Sequence, residues 1–381
     1  MVEKASKTWG ARRQKRTVTL ADVGNLAGVS PSTVSRVVNN STPVSPELRE
    51  VIERAIVQLG YVPNRAARSL ATHKSDSIGV VISEPRSQWE NDLFIAPLLI
   101  GIADELSGTD FQIILIMAST PREKERVQRY VQQGHVDGVI VVGSHGGDPV
   151  TEQLARLGVP LVLSGRPAAK IDIDYVDVDH RSGAKMAVSH LVTGGRRRIA
   201  TIYGTLDMPS SRDKLDGYHD ALTAAGLVID LTLEAAGNYS PALASDAMRA
   251  LLDRNPDIDG VFAASDTMAA AAAGVIGEAG LRIPEDIAVV GYDDTTIAMT
   301  MHPRLTTIHQ PIEAMGHAMA QLLLRRIEHP GESSSHVIFT TELIVRESSG
   351  AQSPALATCE SDTHGWMMPG DRSSTNCLGD F

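Results

Sequence analysis

From Ser77 onward the chain repeats one pattern, a short β-rich run followed by a longer stretch with helical periodicity. The predicted strands are Ile78 to Ser83, Gln112 to Met117, Val139 to Val142, Leu161 to Ser164, Ile199 to Tyr203, Val261 to Ala263 and Ile287 to Tyr292. Between them lie segments suited to helices, among them Ala184 to Val192, Lys214 to Ala225 and Met268 to Ala279. Strands separated by helices pair in parallel, and the helices cover both faces of the sheet. The fold class is therefore α/β. Residues 77–349 exceed what one doubly wound sheet usually takes, so two lobes are expected.

Ahead of this body, residues 19 to 60 are helical three times over. Thr19, Ser30 and Ser45 each stand where a cap belongs, and Pro31 and Pro46 follow the two serines at first helical positions. On a helical wheel, Val34, Val37 and Val38 form one apolar stripe, while Ser32, Ser35, Arg36 and Asn39 point the other way. Ala27-Gly28-Val29-Ser30 joins this helix to the one before it, and Gly28 allows the positive φ that a tight helix-to-helix turn commonly requires. Short hydrogen-bonding side chains with one arginine suit a helix presented to DNA, because Arg can donate twice to guanine O6 and N7.

Charge divides along the same boundary. The first 75 residues hold 12 Lys and Arg against 5 Asp and Glu, whereas the whole chain carries a net charge of -11. A basic head on an acidic body suits a polyanion bound at one end only. The cysteines are Cys359 and Cys377, so the body has neither a disulfide nor a thiolate metal cage, which fits a reducing compartment. No apolar run approaches the ~20 residues of a membrane span. These features predict a cytoplasmic protein with no cofactor and no membrane partner. Residues 1–17 read as a disordered basic arm and 350–381 as a disordered tail without the leucine heptads of a coil.

The run TLADVGNLAGVSPSTVSRVVNN, followed by VSPELREVIERAIVQLGYVPNRAARSLAT, resembles the lactose-repressor/galactose-repressor (LacI/GalR) family of bacterial transcriptional regulators, and the likeness continues over about residues 18 to 347. The resemblance implies an all-α head of λ-repressor-like helix-turn-helix type (18–62), a hinge helix and linker (63–76), and a body of two lobes like type I periplasmic binding proteins. It makes Ser32 and Arg36 base contacts, with Thr19, Leu20, Ser35 and Asn39 positioning the backbone. Thr33, Tyr61 and Asn64 join the DNA-binding set, and Leu70, with Ala67 beside it, takes the place of a minor-groove wedge. One departure is Gly24, where the family generally has alanine; an exposed helical Gly costs ~1 kcal/mol.

For the body, the matching stretches include SSRDKLDGYHDAL, VFAASDTMA and IAVVGYDDTTIA. By resemblance Arg212 grips a small-molecule effector and Asp293 accepts hydrogen bonds from it, with Tyr239 and Phe94 as ring faces and Ser265 nearby. Such a set suits a carbohydrate. Two departures bear on the ligand: Ser164-Gly165 stands where an aspartate is frequent, and Ser265 where an asparagine is. Arg212 and Asp293 could instead be lobe-stabilising ions, and the two rings core residues.

The resemblance implies a repressor that binds an inverted-repeat operator in double-stranded DNA as a homodimer. Phe94 to Leu106, apolar around most of its circumference, is expected to be buried on more than one side, one of them a second subunit. The rival readings are an enzyme and a solute-binding transport protein. The chain has no G-x-G-x-x-G after the first strand, no P-loop and no nucleophile elbow. The glycine-rich turn Gly143-Ser-His-Gly-Gly147 and the Asp293-Asp294 pair remain, but neither has enough company for catalysis, and His145, in a cleft loop, lacks metal-ligand spacing to another His or Asp, so no enzyme is expected.

Overall fold

The computed structural model describes residues 18–39, 43–63, 74–84, 93–143 and 145–350. The basic arm, the tail beyond Gly350, and the hinge residues Asn64, Ala67 and Leu70 lie outside them.

The head is three helices, α1 (Leu20–Ala27), α2 (Pro31–Val38) and α3 (Pro46–Leu59). Thr19 and Asp22 close a reciprocal cap on α1, with the Thr19 amide donating to Asp22 Oδ2 at 2.9 Å and the Asp22 amide to Thr19 Oγ1 at 3.3 Å. Gly28 ends α1 at φ 69° and turns the chain into α2, whose cap is Ser30. Val23, Val34, Val37, Ile52 and Ala55 form the buried core. Gly24 departs from expectation: it is buried, and a Cβ there would lie 2.7 Å from the Val29 carbonyl oxygen. The exposed-glycine cost does not apply, because the turn packs onto this position.

The body opens with β1 (Ser77–Ile82), α4 (Ile95–Leu106), β2 (Gln112–Met117), α5 (Pro121–Gln132), β3 (Gly138–Val142), α6 (Pro149–Arg156), β4 (Leu161–Ser164) and β5 (Asp174–Val178). It crosses to a second lobe with α7 (His180–Thr193), β6 (Ile199–Tyr203), α8 (Pro209–Ala224), β7 (Glu234–Ala236), α9 (Pro241–Arg254), β8 (Gly260–Ala263), α10 (Asp266–Glu278), β9 (Ala288–Asp293), α11 (Thr296–Thr300) and β10 (Thr306–His309). It then returns for α12 (Ile312–Glu328) and β11 (His336–Phe339), and crosses a third time into β12 (Glu342–Ile344).

Lobe 1 is a sheet in the order β11-β5-β4-β3-β1-β2, parallel throughout. Lobe 2 is β12-β10-β9-β8-β6-β7, parallel except for β12 against β10. Each sheet has apolar clusters on both faces. All seven predicted strands are present. The unpredicted ones, β5, β7, β10, β11 and β12, are short or rich in polar residues, so their local pattern is weak.

Candidate functional site

The head presents α2 as expected from its wheel. Val34 and Val37 are buried, and Ser32 and Arg36 are exposed. Arg36 makes no hydrogen bond or ion pair among the described residues. The Ser30 hydroxyl contacts those of Ser32 and Thr33 at 2.8 and 2.9 Å, which orders the first turn. Asn39 Nδ2 donates to Ser35 Oγ at 3.1 Å, and Thr19 is exposed at the start of α1. Leu20 and Tyr61 are different: both pack against the helical core. They support the surface from below more than they form it.

The second site is the cleft between the lobes, where the C-terminal ends of both sheets meet. Lobe 1 and its returning helix supply Glu84, Phe94, Ser164, Gly165, Asp177 and Met315; lobe 2 supplies Met208, Lys214, Tyr239, Ser265, Asp293 and Thr295. His180 and Gln310, on the crossover segments, line the base. Ligands of open α/β sheets bind in this position, beyond the carboxyl ends of the strands.

Phe94, Tyr239, Ser265 and Asp293 thus lie together in one cleft. Arg212 does not, and this corrects the expectation. It is exposed, with Nη2 3.4 Å from the Asp207 carbonyl oxygen. Among the described residues the lysine or arginine lining the cleft is Lys214, two residues and about 200° further round α8. Its side chain is buried: Nζ donates to the Ala264 carbonyl at 3.0 Å, lies 3.9 Å from Asp293 Oδ1 and sits 3.8 Å from the centroid of Tyr292. A sequence signal for this existed, since Ser211, Lys214, Gly217, Tyr218 and Ala221 form the buried face of α8 at helical spacing.

Around Lys214 the polar groups are tightly organised. Asp293 accepts from Gln310 Nε2 at 2.5 Å, while the buried Gln310 Oε1 has no hydrogen-bond partner among the described residues. The Tyr239 hydroxyl meets Ser211 Oγ at 2.7 Å. Asp266, fully buried behind the cleft wall, accepts from the Thr295 amide at 2.7 Å and from Thr307 Oγ1 at 2.5 Å, fixing the loop that follows Asp293. Burial pushes the Asp266 carboxyl up to about 6, against the lowering effect of those donors.

The base of the cleft holds a second network. His180 Nε2 lies 3.1 Å from Asp177 Oδ1, and the Arg166 amide donates to Asp177 Oδ2 at 3.1 Å. Burial works to raise the Asp177 carboxyl, but His180 and the backbone amides outweigh it and leave it below the usual range. Burial lowers His180, favouring a neutral ring that donates to Asp177 and accepts from the Tyr292 hydroxyl, 3.4 Å from Nδ1. Sequence reasoning missed Glu84, Asp177, His180, Lys214 and Gln310 as cleft residues.

A three-helix head that presents one polar helix, joined to a two-lobed body with a charged cleft, defines a ligand-responsive DNA-binding regulator. Residues 19–64 match the profile of bacterial regulatory proteins of the lacI family, and residues 188–349 that of a periplasmic binding protein-like domain. The chain is 44% identical over 337 residues to the HTH-type transcriptional regulator CelR of Thermobifida fusca, covering 88% of this chain and 99% of that one. With the ribose operon repressor of Escherichia coli it shares 34% identity over 87% of this chain and 99% of the other. Among solved structures, a CelR-cellobiose complex superposes with a TM-score of 0.70 at 43% identity, covering 87% of this chain and 99% of that one. The lac repressor dimer bound to operator and an anti-inducer gives 0.76 at 29% identity, covering 88% and 100%. The chain belongs to the lacI family of bacterial regulatory proteins, and it is a DNA-binding transcriptional regulator. The relatives named here are regulators, and among the described residues no helix is long and apolar enough to cross a membrane.

Proposed function

We propose that this protein is a cytoplasmic, non-catalytic repressor that binds an inverted-repeat operator as a homodimer and changes its hold on DNA when a sugar occupies the cleft. The observation that carries the sugar is Gln310. Its carboxamide is fixed by donating to Asp293 and lines the cleft beside Lys214, and a few fixed polar groups set among ring faces suit a ligand rich in hydroxyls. The relative solved with cellobiose makes that disaccharide the first candidate. Calorimetric titration with cellobiose, glucose and ribose tests the reading; heat from none of the three removes its support.

On the DNA side, Arg36 and Ser32 meet base edges, Thr19, Thr33, Ser35 and Asn39 hold the backbone, and Leu20 and Tyr61 brace them. Asn64, Ala67 and Leu70 extend the contact along the hinge. For the dimer, α4 and the neighbouring edge strand β2 offer an apolar face, with Ile100 51% and Leu115 49% exposed.

Arg36→Ala is expected to cost ~1 to 3 kcal/mol in operator affinity and to relax one base position per half-site. Selection of bound sites from a random pool measures this directly, and an unchanged selected site rules the assignment out. Deleting residues 1–17 should weaken all sequences alike and flatten the salt dependence of binding, since each lost phosphate contact lowers the slope by about 0.9.

A further inference from the structure

The glycine-rich loop after β3 has no part in the cleft chemistry so far, yet it places one side chain between the lobes. His145 Nε2 lies 2.9 Å from Glu84 Oε2, just beyond the end of β1 in lobe 1. Its Nδ1 lies 3.1 Å from both carboxylate oxygens of Asp207, in the loop between β6 and α8 of lobe 2. The Gly146 amide adds a bond of 3.0 Å to the Asp207 carbonyl oxygen. Gly143 makes the approach possible: at φ 80°, a Cβ there would lie 2.4 Å from Glu84 Oε1. The imidazole is only 15% exposed.

Each ring nitrogen faces a carboxylate. A neutral imidazole has one N–H and one lone pair, so it can satisfy only one of the two and repels the other. Both bonds are made only by the doubly protonated ring. Parting the lobes takes Asp207 away from His145 and leaves Glu84, which moves with the loop.

We propose that His145 is a proton-dependent clasp between the lobes: the closed cleft holds a proton on His145 that the open cleft binds more weakly, so rising pH opens the cleft. The ring's environment agrees with this. The hydrogen bond to Glu84, with Asp207 adding to it, outweighs burial and raises His145 to about 9. The sign follows from linkage. Closure gains its full benefit below the pKa of the open state and loses it as pH rises through the closed-state value. Other charges nearby are otherwise engaged: Asp148, on the same loop, pairs with Lys124 at 2.8 Å and with Ser83, and Arg212 donates to the Asp207 backbone.

Small-angle X-ray scattering on the full-length dimer without ligand, at pH 7 and pH 10, tests the clasp. The wild type is expected to expand at pH 10. Asp207→Ala is expected to be as expanded at pH 7 as the wild type is at pH 10 and to show little further change. His145→Gln, which cannot be charged, should also lose the pH response, and circular dichroism melting confirms that both variants fold. Scattering curves for the variants that follow the wild type at both pH values overturn the proposal.

A consequence for the ligand rests on the cleft reading above: cellobiose affinity should fall by roughly tenfold between pH 7 and 10 in the wild type and less than about twofold in Asp207→Ala. A wild-type fall that persists undiminished in Asp207→Ala counts against the clasp. If Lys214→Gln binds cellobiose as well as the wild type, the cleft reading fails instead, and the scattering result alone decides the clasp.

Discussion

Lys214→Met is expected to abolish the response to the effector while leaving operator binding by the ligand-free protein within about twofold of the wild type. Methionine keeps most of the length and the apolar stem against Tyr292, so the replacement chiefly removes charge. With it go the bond to the Ala264 carbonyl and the cation beside Asp293, the two groups that Nζ holds in place. Truncating one member of a buried, hydrogen-bonded charged set costs ~2 to 5 kcal/mol of binding, or roughly 30- to 5,000-fold in affinity. A ligand shifts the regulator only as far as its affinities for the two lobe arrangements differ, so a loss of this size suppresses the shift at ordinary concentrations. Arg212→Ala, on the outward side of the same helix, should bind effector within about twofold of the wild type. Calorimetry with cellobiose, combined with operator titrations with and without it, separates the two positions. Wild-type affinity in Lys214→Met would place the ligand elsewhere.

Gly101→Val should have the largest effect on stability. A Cβ at Gly101 would lie 2.0 Å from the Glu313 carbonyl oxygen, and one at Gly316 would lie 2.3 Å from that of Leu98. Helices α4 and α12 therefore cross with their backbones in contact, and neither can yield as a flexible side chain would. Overpacking a rigid contact costs ~1 to 3 kcal/mol and occasionally more, and the branched valine belongs at the upper end. The melting temperature of the body is expected to fall by about 5 to 10 °C. Gly108→Ala is the control, because nothing lies within 4 Å of its added carbon and it does not need a positive φ. A melt for Gly101→Val that matches this control would mean that the helices part more easily than their geometry implies. The same variant should also weaken effector binding, since α12 carries Met315 and follows directly on Gln310.

The parts of the fold legible in the sequence were those whose local pattern agrees with their environment. VVI, VIVV and IAVVGY are β-branched and buried, and they read as strands. β5 did not, because DYVDV sets two carboxylates into a buried strand, and their partners are invisible locally. Asp174 is held by Arg326 at 2.7 Å, 152 residues away in sequence, and Asp177 by His180. β10 hides in the same way: Thr306 and Thr307 are buried because Ser348, Arg346 and Asp266 satisfy them. In the cleft, the ring residues and Asp293 were legible from resemblance, but the cation was assigned two residues early. Helical phase decides that point, and the buried face running through Ser211, Lys214 and Tyr218 carries the information. Gly24 shows the opposite limit, since its burial depends on the return of the chain at Val29, which no helical wheel of α1 contains.

The three crossings between lobes also dictate an order of assembly during synthesis. β5, the last strand of lobe 1's first segment, ends at Val178, but the sheet also needs β11, and its core needs α12, which starts only at Ile312. At 5 to 20 residues per second, a ribosome takes roughly seven to thirty seconds to make the intervening stretch. Throughout that interval the edge of β5 and the apolar floor that α12 will cover stand open to water, while most of lobe 2 emerges and can pack. The lobe begun first is thus finished late, with part of its apolar core uncovered until α12 arrives.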